Sequence, residues 1–195
     1  MSPKTVILHF LFVLWCLVGF ANSIIDYYWR PNLGLLPKDA YSAGKNANGD
    51  YVFIGQVAIE KHPGVYPAPI YMGRRIVASK DGPQQAWNFV QILCTPYPEK
   101  FVWLPRTQAN VHMLPDNVYP VIGGIEDGKY LYIGKIHYQG QTVIGKILSG
   151  HIGKALMYYA HNNEEMAVDT YQLLTYTEDY DKYGNSINDI GASVV

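Results

Sequence analysis

Cysteine is nearly absent from the 195-residue sequence, which contains two. Cys16 falls in an amino-terminal apolar run, and Cys94 stands alone in the apolar segment 90–94. A secreted chain with one remaining cysteine cannot be held by intrachain disulfides, so its stability must come from packing. Because a buried cysteine behaves as a small apolar residue, we expect Cys94 to be a structural thiol in the core.

The sequence also lacks an excess of charge and the motifs of common enzymes. Its formal net charge is −1, and no basic patch argues for nucleic acid as a partner. The histidines lack metal-ligand spacing, and there is no Gly-x-Ser-x-Gly elbow, Walker loop or Gly-x-Gly-x-x-Gly. We therefore predict a protein that is not an enzyme and that uses no cofactor and no metal.

One long apolar run is present, at residues 6–20. Lys4 precedes it, and it ends at the small residues Ala21-Asn22-Ser23, which suit a signal-peptidase site. This pattern is typical of a secretory signal peptide, so we predict a secreted, extracellular protein. A retained membrane anchor is the alternative, but the run is shorter than the roughly 20 residues that span a bilayer. No later segment predicts a membrane span.

Helical periodicity is nearly absent, whereas tyrosine, glycine and proline are abundant, at 17, 18 and 12 residues. Aromatic and β-branched residues favour strands, and glycine and proline weaken helices. The best helical window, 153–168, is as easily a strand followed by a polar turn at 161–164, and we interpret it as a strand. We predict an all-β protein.

An internal repeat organises the sequence. Segment 127–136 (DGKYLYIGKI) repeats segment 48–57 (NGDYVFIGQV) at a constant offset of 79 residues. Each copy begins with a turn signal and continues through strand-forming residues to Gly55 or Gly134, where we expect a kink or a close backbone approach. We predict two tandem pseudo-symmetric antiparallel repeats that form one compact body.

The repeat divides the chain into segments. The connecting segment contains the apolar stretch 100–105, which we interpret as a strand ending at Pro105 rather than a flexible linker. The predicted segments are a signal peptide (1–23), a lead-in (24–35), a first repeat (36–99), a connecting strand (100–113), a second repeat (114–176) and a mobile tail rich in acidic residues and tyrosine (177–195).

The order of short motifs in the second copy resembles the DM-nine repeat family. The motifs are Leu114-Pro115-Asp116-Asn117, Gly123, Asp127-Gly128, Tyr132-Ile133-Gly134-Lys135, Gly145-Lys146-Ile147, the aromatic-rich segment 155–159 and the segment 171–174. The resemblance covers about residues 36–176, and the first copy has Ala68-Pro69 where the family usually has Gly-Lys. The family includes secreted arthropod proteins, a mollusc mannose-specific lectin and the lectin-like part of fish natterin toxins. The resemblance implies a compact all-β fold and carbohydrate binding.

The resemblance also implies site residues. Sugar-binding members use the lysine of Pro-Gly-Lys and an acidic residue just after the first glycine. Carried over, the lysine is Lys146, and Pro69 replaces it in the first copy. The acid corresponds to Asn46 in the first copy, and in the second to Ile125 or, with a one-residue gap, to Glu126. The implied ligand-binding residues are therefore Lys146, Glu126 and Asn46.

The chemistry of these side chains fits a sugar, because hexose hydroxyls both donate and accept, a carboxylate accepts and an ammonium donates. The first hypothesis is a lectin-like recognition protein, possibly of mannose type, with a glycan or glycoprotein surface as partner. The alternative is a secreted structural or protein-binding factor of saliva, venom or matrix whose sugar site has degenerated. In that case Lys146 is a solvated side chain and Glu126 shapes a turn. Open strand edges also favour a homodimer.

Overall fold

The computed structural model describes residues 27–177, so the predicted signal peptide and the predicted tail beyond Thr177 lie outside the described residues. These described residues form one antiparallel sheet of fourteen strands, which confirms the all-β prediction. The strands are β1 Tyr28–Pro31, β2 Ser42–Lys45, β3 Tyr51–Ile59, β4 His62–Ile70, β5 Val77–Ser79, β6 Pro83–Cys94, β7 Phe101–Thr107, β8 Val118–Pro120, β9 Ile122–Glu126, β10 Lys129–Tyr138, β11 Gln141–Leu148, β12 Met157–His161, β13 Glu164–Val168 and β14 Thr170–Thr177. A single 3-10 turn, Pro98–Lys100, precedes β7. Within residues 27–177 no helix has the length and apolar character needed to cross a membrane.

The tight turns lie where the sequence predicts them. Asp127 and Gly128 join β9 to β10 with φ values of 49° and 74°, as a two-residue type I′ hairpin turn requires. The predicted strand and polar turn at 153–168 are β12, then Asn162 and Asn163 with φ values of 49° and 63°, then β13. Short polar residues tolerate these left-handed conformations, which is why the hairpins form here.

The strands fall into a first half (residues 27–100) and a second half (residues 101–177). In the first half β3 pairs with β2, β4 and β6, and β6 also pairs with β1 and β5. In the second half β10 pairs with β9, β11 and β14, and β14 also pairs with β7 and β8. The pseudo-symmetry of the two repeats stays a prediction.

The two halves join where β4 pairs with β9, and we call this junction the seam. Gly64 lies opposite Glu126, and Val65 lies opposite Ile125. The backbones come very close, since a Cβ atom added to Gly124 would lie 2.0 Å from the carbonyl oxygen of Val65. The seam therefore brings the end of β9 directly against the first half.

The core runs through both halves. One cluster combines buried residues of the first half, such as Ile54 and Leu93, with Ile133 and Leu174 of the second. Cys94 is fully buried with a free thiol, and burial raises its pKa to about 11, so the predicted structural thiol is confirmed. The close backbone approach predicted at the repeated glycines takes another form, because side chains rather than a second backbone lie closest to Gly55 and Gly134. A Cβ atom at Gly134 would lie 2.6 Å from the sulfur of Met157.

Two details differ from the sequence interpretation. The strand of the connecting segment does not end at Pro105, because β7 continues to Thr107 with Pro105 opposite Gln172 of β14. Proline is tolerated at a sheet edge, where its missing N–H removes no ladder bond. The alignment of the two copies also moves by one residue before the repeated strands. The offset of 79 aligns Gly44 with Gly123, but Gly44 lies opposite Val52 and Gly124 lies opposite Leu131, so Gly44 corresponds to Gly124.

Candidate functional site

Lys146 and Glu126, which the sequence pairs across 20 residues, meet in the structure. Lys146 lies in the middle of β11, opposite Ile133 on one side and Tyr158 on the other. Its ammonium Nζ donates to Oε2 of Glu126 at 2.7 Å. Lys146 is 4% exposed and Glu126 is 9% exposed, so the ion pair is buried.

The strand register decides which of the two candidate residues, Ile125 or Glu126, faces Lys146. Glu126 is the last residue of β9 and lies opposite Lys129, directly before the Asp127-Gly128 turn. Ile125, the ungapped alternative, is 40% exposed and pairs with Val65 across the seam. The residue of the second half that corresponds to Asn46 is therefore Glu126.

Two tyrosine rings enclose the ammonium group of Lys146. Its Nζ lies 5.3 Å from the ring centroid of Tyr66 and 5.9 Å from that of Tyr158, within the range of cation–π attraction. Tyr66 is fully buried, and its hydroxyl donates to the carbonyl of Pro63 at 3.1 Å. Burial, with a contribution from the negative charge of Glu126, raises the pKa of Tyr66 to about 12.

A second lysine reaches the same carboxylate from the first half. Lys80 Nζ lies 3.1 Å from Oε1 of Glu126 and 2.7 Å from Oδ2 of Asp81. The hydrogen bond to Asp81, and after it the bond to Glu126, raise the pKa of Lys80, and the same bond to Lys80 lowers the pKa of Asp81. We call Lys146, Glu126, Lys80 and Asp81 the charge chain. It runs from the buried seam to Asp81, whose side chain is 68% exposed.

The charge chain ends next to an open cleft of about 370 Å³. His62 links the two features, because its Nδ1 lies 4.0 Å from Oδ2 of Asp81 and its side chain lines the cleft. Gln84, Gln85 and the indole of Trp87, which is 54% exposed, also line this cleft. We call it the Trp87 cleft.

The structure does not bring the third predicted site residue, Asn46, to this place. The side-chain oxygen of Asn46 accepts the backbone N–H groups of Asn48 and Asp50, each at 2.9 Å. Its amide nitrogen donates to the carboxylate of Asp50 at 3.0 Å. Asn46 therefore closes its own turn, and Pro69 lies opposite Ile54 in the position that Lys146 has opposite Ile133.

Sequence reasoning missed Lys80, Asp81 and Trp87. Lys80-Asp81-Gly82 is recognisable only as a turn, with φ values of 52° at Asp81 and 110° at Gly82. Its contact with Glu126 depends on the seam, which no local pattern reveals.

The site offers hydrogen-bond donors and acceptors rather than a reactive group or a metal site. In the described part of the chain, histidine, cysteine, aspartate and glutamate form no group of three that could hold a metal ion. The charges alternate along the charge chain, so a hydroxyl-rich ligand at the exposed end of the charge chain would meet both a carboxylate and an ammonium.

Comparison with protein families gives one match. The model of the DM9 repeat matches residues 62–168, just over half of the chain. The match begins at the first residue of β4 and ends at the last residue of β13, so it includes the whole charge chain. No curated protein sequence matches the chain.

Proposed function

The chain belongs to the DM9 repeat family, and from that membership we propose that it is a secreted, non-enzymatic carbohydrate-binding protein. The DM9 repeat is associated with lectin-like carbohydrate binding. We propose a hexose of mannose type as the ligand, presented on a glycan or glycoprotein surface.

The observation that carries this proposal is the charge chain, whose exposed end at Asp81 lies 4.0 Å from His62 of the Trp87 cleft. Vicinal hydroxyls of a hexose need acceptors and donors side by side, and charge-assisted hydrogen bonds are about twice as strong as neutral ones. Asp81 supplies an acceptor at the surface, and Lys80, whose side chain is 20% exposed, supplies the donor beside it. Trp87 supplies a flat apolar face for the C–H side of the sugar ring.

The two ends of the charge chain differ in burial, and we assign them different roles for this reason. The side chains of Lys146 and Glu126 are 5% and 10% exposed, and each satisfies the charge of the other. In this proposal they position Lys80 through the second oxygen of Glu126, while Asp81, Lys80 and His62 contact the sugar. This differs from the sequence hypothesis, in which Lys146 and Glu126 bind the sugar directly.

The test is a glycan array followed by calorimetric titration with methyl α-mannoside. We expect Asp81→Asn and Trp87→Ala each to weaken binding at least tenfold. Phe89→Ala is the matched control, because Phe89 is another exposed aromatic residue of β6 that does not line the Trp87 cleft. A flat array with folded protein, or equal losses in Trp87→Ala and Phe89→Ala, would contradict the proposal.

A second candidate function is protein binding by a chain whose sugar site has been lost. The mutual burial of Lys146 and Glu126, together with the local role of Asn46, favours it. A protein partner that excess mannose does not displace, and that Asp81→Asn and Lys146→Ala retain, would support this function over the first.

We further propose that the chain forms homodimers through a free strand edge. β1 and β13 end the path of hydrogen-bonded strands, and an unpaired edge is a template for pairing. Light scattering of the purified protein tests this, and a monomeric mass at micromolar concentration would contradict it.

A further inference from the structure

A cleft of about 270 Å³ lies between the two halves, apart from the charge chain and the Trp87 cleft. The first half contributes β4 and the segment from Tyr71 to Ser79, and the second half contributes β11 and the end of β12. The lining of this cleft includes the side chains of Arg74, Arg75 and His161. We call this the inter-half cleft.

The lining of the inter-half cleft carries positive charge without a matching acid. It includes two guanidinium groups and no aspartate or glutamate. Across residues 27–177, no carboxylate oxygen lies within 4.0 Å of either arginine. Glu165 lies behind the lining residue Ser79, and its carboxylate already accepts from Ser79 Oγ at 2.5 Å and from the backbone N–H of Gly82 at 3.2 Å. The two arginines therefore remain available to an anion from solution.

His161 adds an independent sign of a missing partner. Its Nε2 atom is buried and has no hydrogen-bond partner among residues 27–177. A buried polar atom without a partner loses its hydration and gains no hydrogen bond, so native structures seldom leave one unpaired without a reason. The ring packs edge-on against Tyr138, with the centroids 5.0 Å apart, and this contact holds the imidazole in place.

The arginines are held by an ordered turn. The backbone N–H of Arg74 donates to the carbonyl of Tyr71 at 3.1 Å, and Gly73 between them has φ of 73°, which suits glycine. The guanidinium of Arg74 lies over the ring of Tyr71 at 5.8 Å. The hydroxyl of Tyr71 donates to the carbonyl of Thr142 at 3.4 Å and so ties this turn to the second half.

We propose that the inter-half cleft binds the oxyanion of an acidic saccharide: a carboxylate, sulfate ester or phosphate ester carried on one sugar ring. Arg74 and Arg75 are the ligands of the oxyanion, because the planar guanidinium matches carboxylate, sulfate and phosphate geometry with paired N–H donors. Nε2 of His161 donates a further hydrogen bond. The choice of a sugar as carrier rests on the proposed function, whereas the oxyanion rests on the geometry of the cleft.

The experiment is a calorimetric titration of the purified protein with D-glucuronate, glucose 6-sulfate, glucose 6-phosphate, D-glucose and inorganic sulfate. We expect at least one charged sugar to bind at least tenfold more tightly than glucose. Raising NaCl from 50 to 300 mM should weaken that binding several-fold, because exposed charges are screened. Equal affinity for charged and neutral sugars overturns the proposal, as does binding of inorganic sulfate without binding of any charged sugar.

Variants locate the binding. Arg74→Gln with Arg75→Gln should weaken it at least tenfold, and His161→Phe, which keeps a ring against Tyr138, should weaken it several-fold. The matched control is Lys38→Gln with Lys154→Gln, which removes the same charge from exposed positions outside the cleft. Equal losses in both double variants would show a nonspecific effect and overturn the site.

A parallel titration with methyl α-mannoside separates the two proposals. If mannoside binding persists and depends on Trp87 while no charged sugar binds, the inter-half cleft proposal fails and the proposed function stands.

Discussion

The corner after β2 and the corner after β9 occupy the same register position but are stabilised differently. Asn46 holds the first corner through hydrogen bonds to residues two and four positions further along the chain. Glu126 holds the second corner through Lys146, 20 residues away, and through Lys80 of the other half. The first corner is a local structure, whereas the second joins the halves.

The difference shows what an exchange of residue type does at one structural position. The amide of Asn46 forms its hydrogen bonds within its own turn, so the first corner does not depend on contacts with the rest of the protein. A carboxylate at the same place needs cations, and its two lysines bring β11 and the segment after β5 together at the seam. We therefore expect changes at the second corner to destabilise the whole fold, and changes at the first to be mild.

The largest effect should come from Glu126→Gln. Without the carboxylate, Lys146 is a buried ammonium with no counter-charge, and removing one partner of a buried ion pair costs about 3 kcal/mol or more of the free energy of unfolding. Chemical denaturation of the variant measures this. Glu60→Gln, at an exposed glutamate of the β3–β4 turn, is the control and should change the free energy of unfolding by less than about 0.5 kcal/mol. Similar values for the two variants would show that the ion pair does not stabilise the seam.

Lys146→Met should have the next largest effect, a loss of about 2 kcal/mol. Methionine fills much of the lysine volume between Tyr66 and Tyr158, and Glu126 keeps Lys80 as its counter-charge. A double-mutant cycle with Lys80→Met measures the dependence of one lysine on the other. Additive losses in the cycle would contradict the joint role of the two lysines at the second corner, because they would mean that the lysines stabilise Glu126 independently.

Asn46→Ala should cost about 1 kcal/mol, since it removes hydrogen bonds of one exposed turn. The measurement is again denaturant unfolding, with the exposed Asn48→Ala as control. We also expect Asn46→Ala to leave mannoside binding unchanged. A loss of mannoside binding in this variant, with the fold intact, would show that Asn46 takes part in the sugar site.

Lys135→Met should cause no loss of stability at pH 7, because it removes a buried ammonium without a counter-charge, and its effect should depend on pH. Lys135 is as buried as the seam pair, but within residues 27–177 it has no carboxylate partner. Its Nζ lies 4.2 Å from the ring centroid of Trp103 and donates to the carbonyl of Ala43 at 3.3 Å. Burial lowers its pKa from 10.5 to about 8. Between these values the unfolded chain binds more protons than the folded chain, so stability from this group rises with pH.

The measurement for Lys135 is urea unfolding at pH 7 and pH 10. The wild type should gain stability relative to Lys135→Met as the pH rises through this window. The exposed Lys38→Met serves as control, and its difference from the wild type should stay constant. A constant difference for Lys135→Met as well would show that its folded pKa is not lowered.

Local features of the fold were predictable because short-range chemistry determines them. Asp127-Gly128 and Asn162-Asn163 are residues that accept left-handed backbone, so the hairpins follow from the sequence. The repeat also aligned Pro69 with Lys146 correctly, because one strand pairing, Gly55 with Ala68 and Gly134 with Gly145, recurs in each half.

The rest depends on contacts that no local pattern contains. A β-bulge in the β2–β3 pairing, and another in β9–β10, shifted the glycine alignment by one residue. The contact between Lys80 and Glu126 requires the pairing of β4 with β9, and the arginines of the inter-half cleft meet His161 only when the halves join. Pairings between distant strands decide these sites.

The seam also sets an order of assembly during synthesis. β3 has all its partners once Cys94 has left the ribosome, whereas β10 waits for β14, which ends at Thr177. During that interval the edge of β4 that later receives β9 is open to other strands. We expect chains truncated near residue 110 to be more prone to association than the finished protein. Sedimentation of such chains, with the full-length protein as control, measures how far the second half protects the open edge of β4 from association.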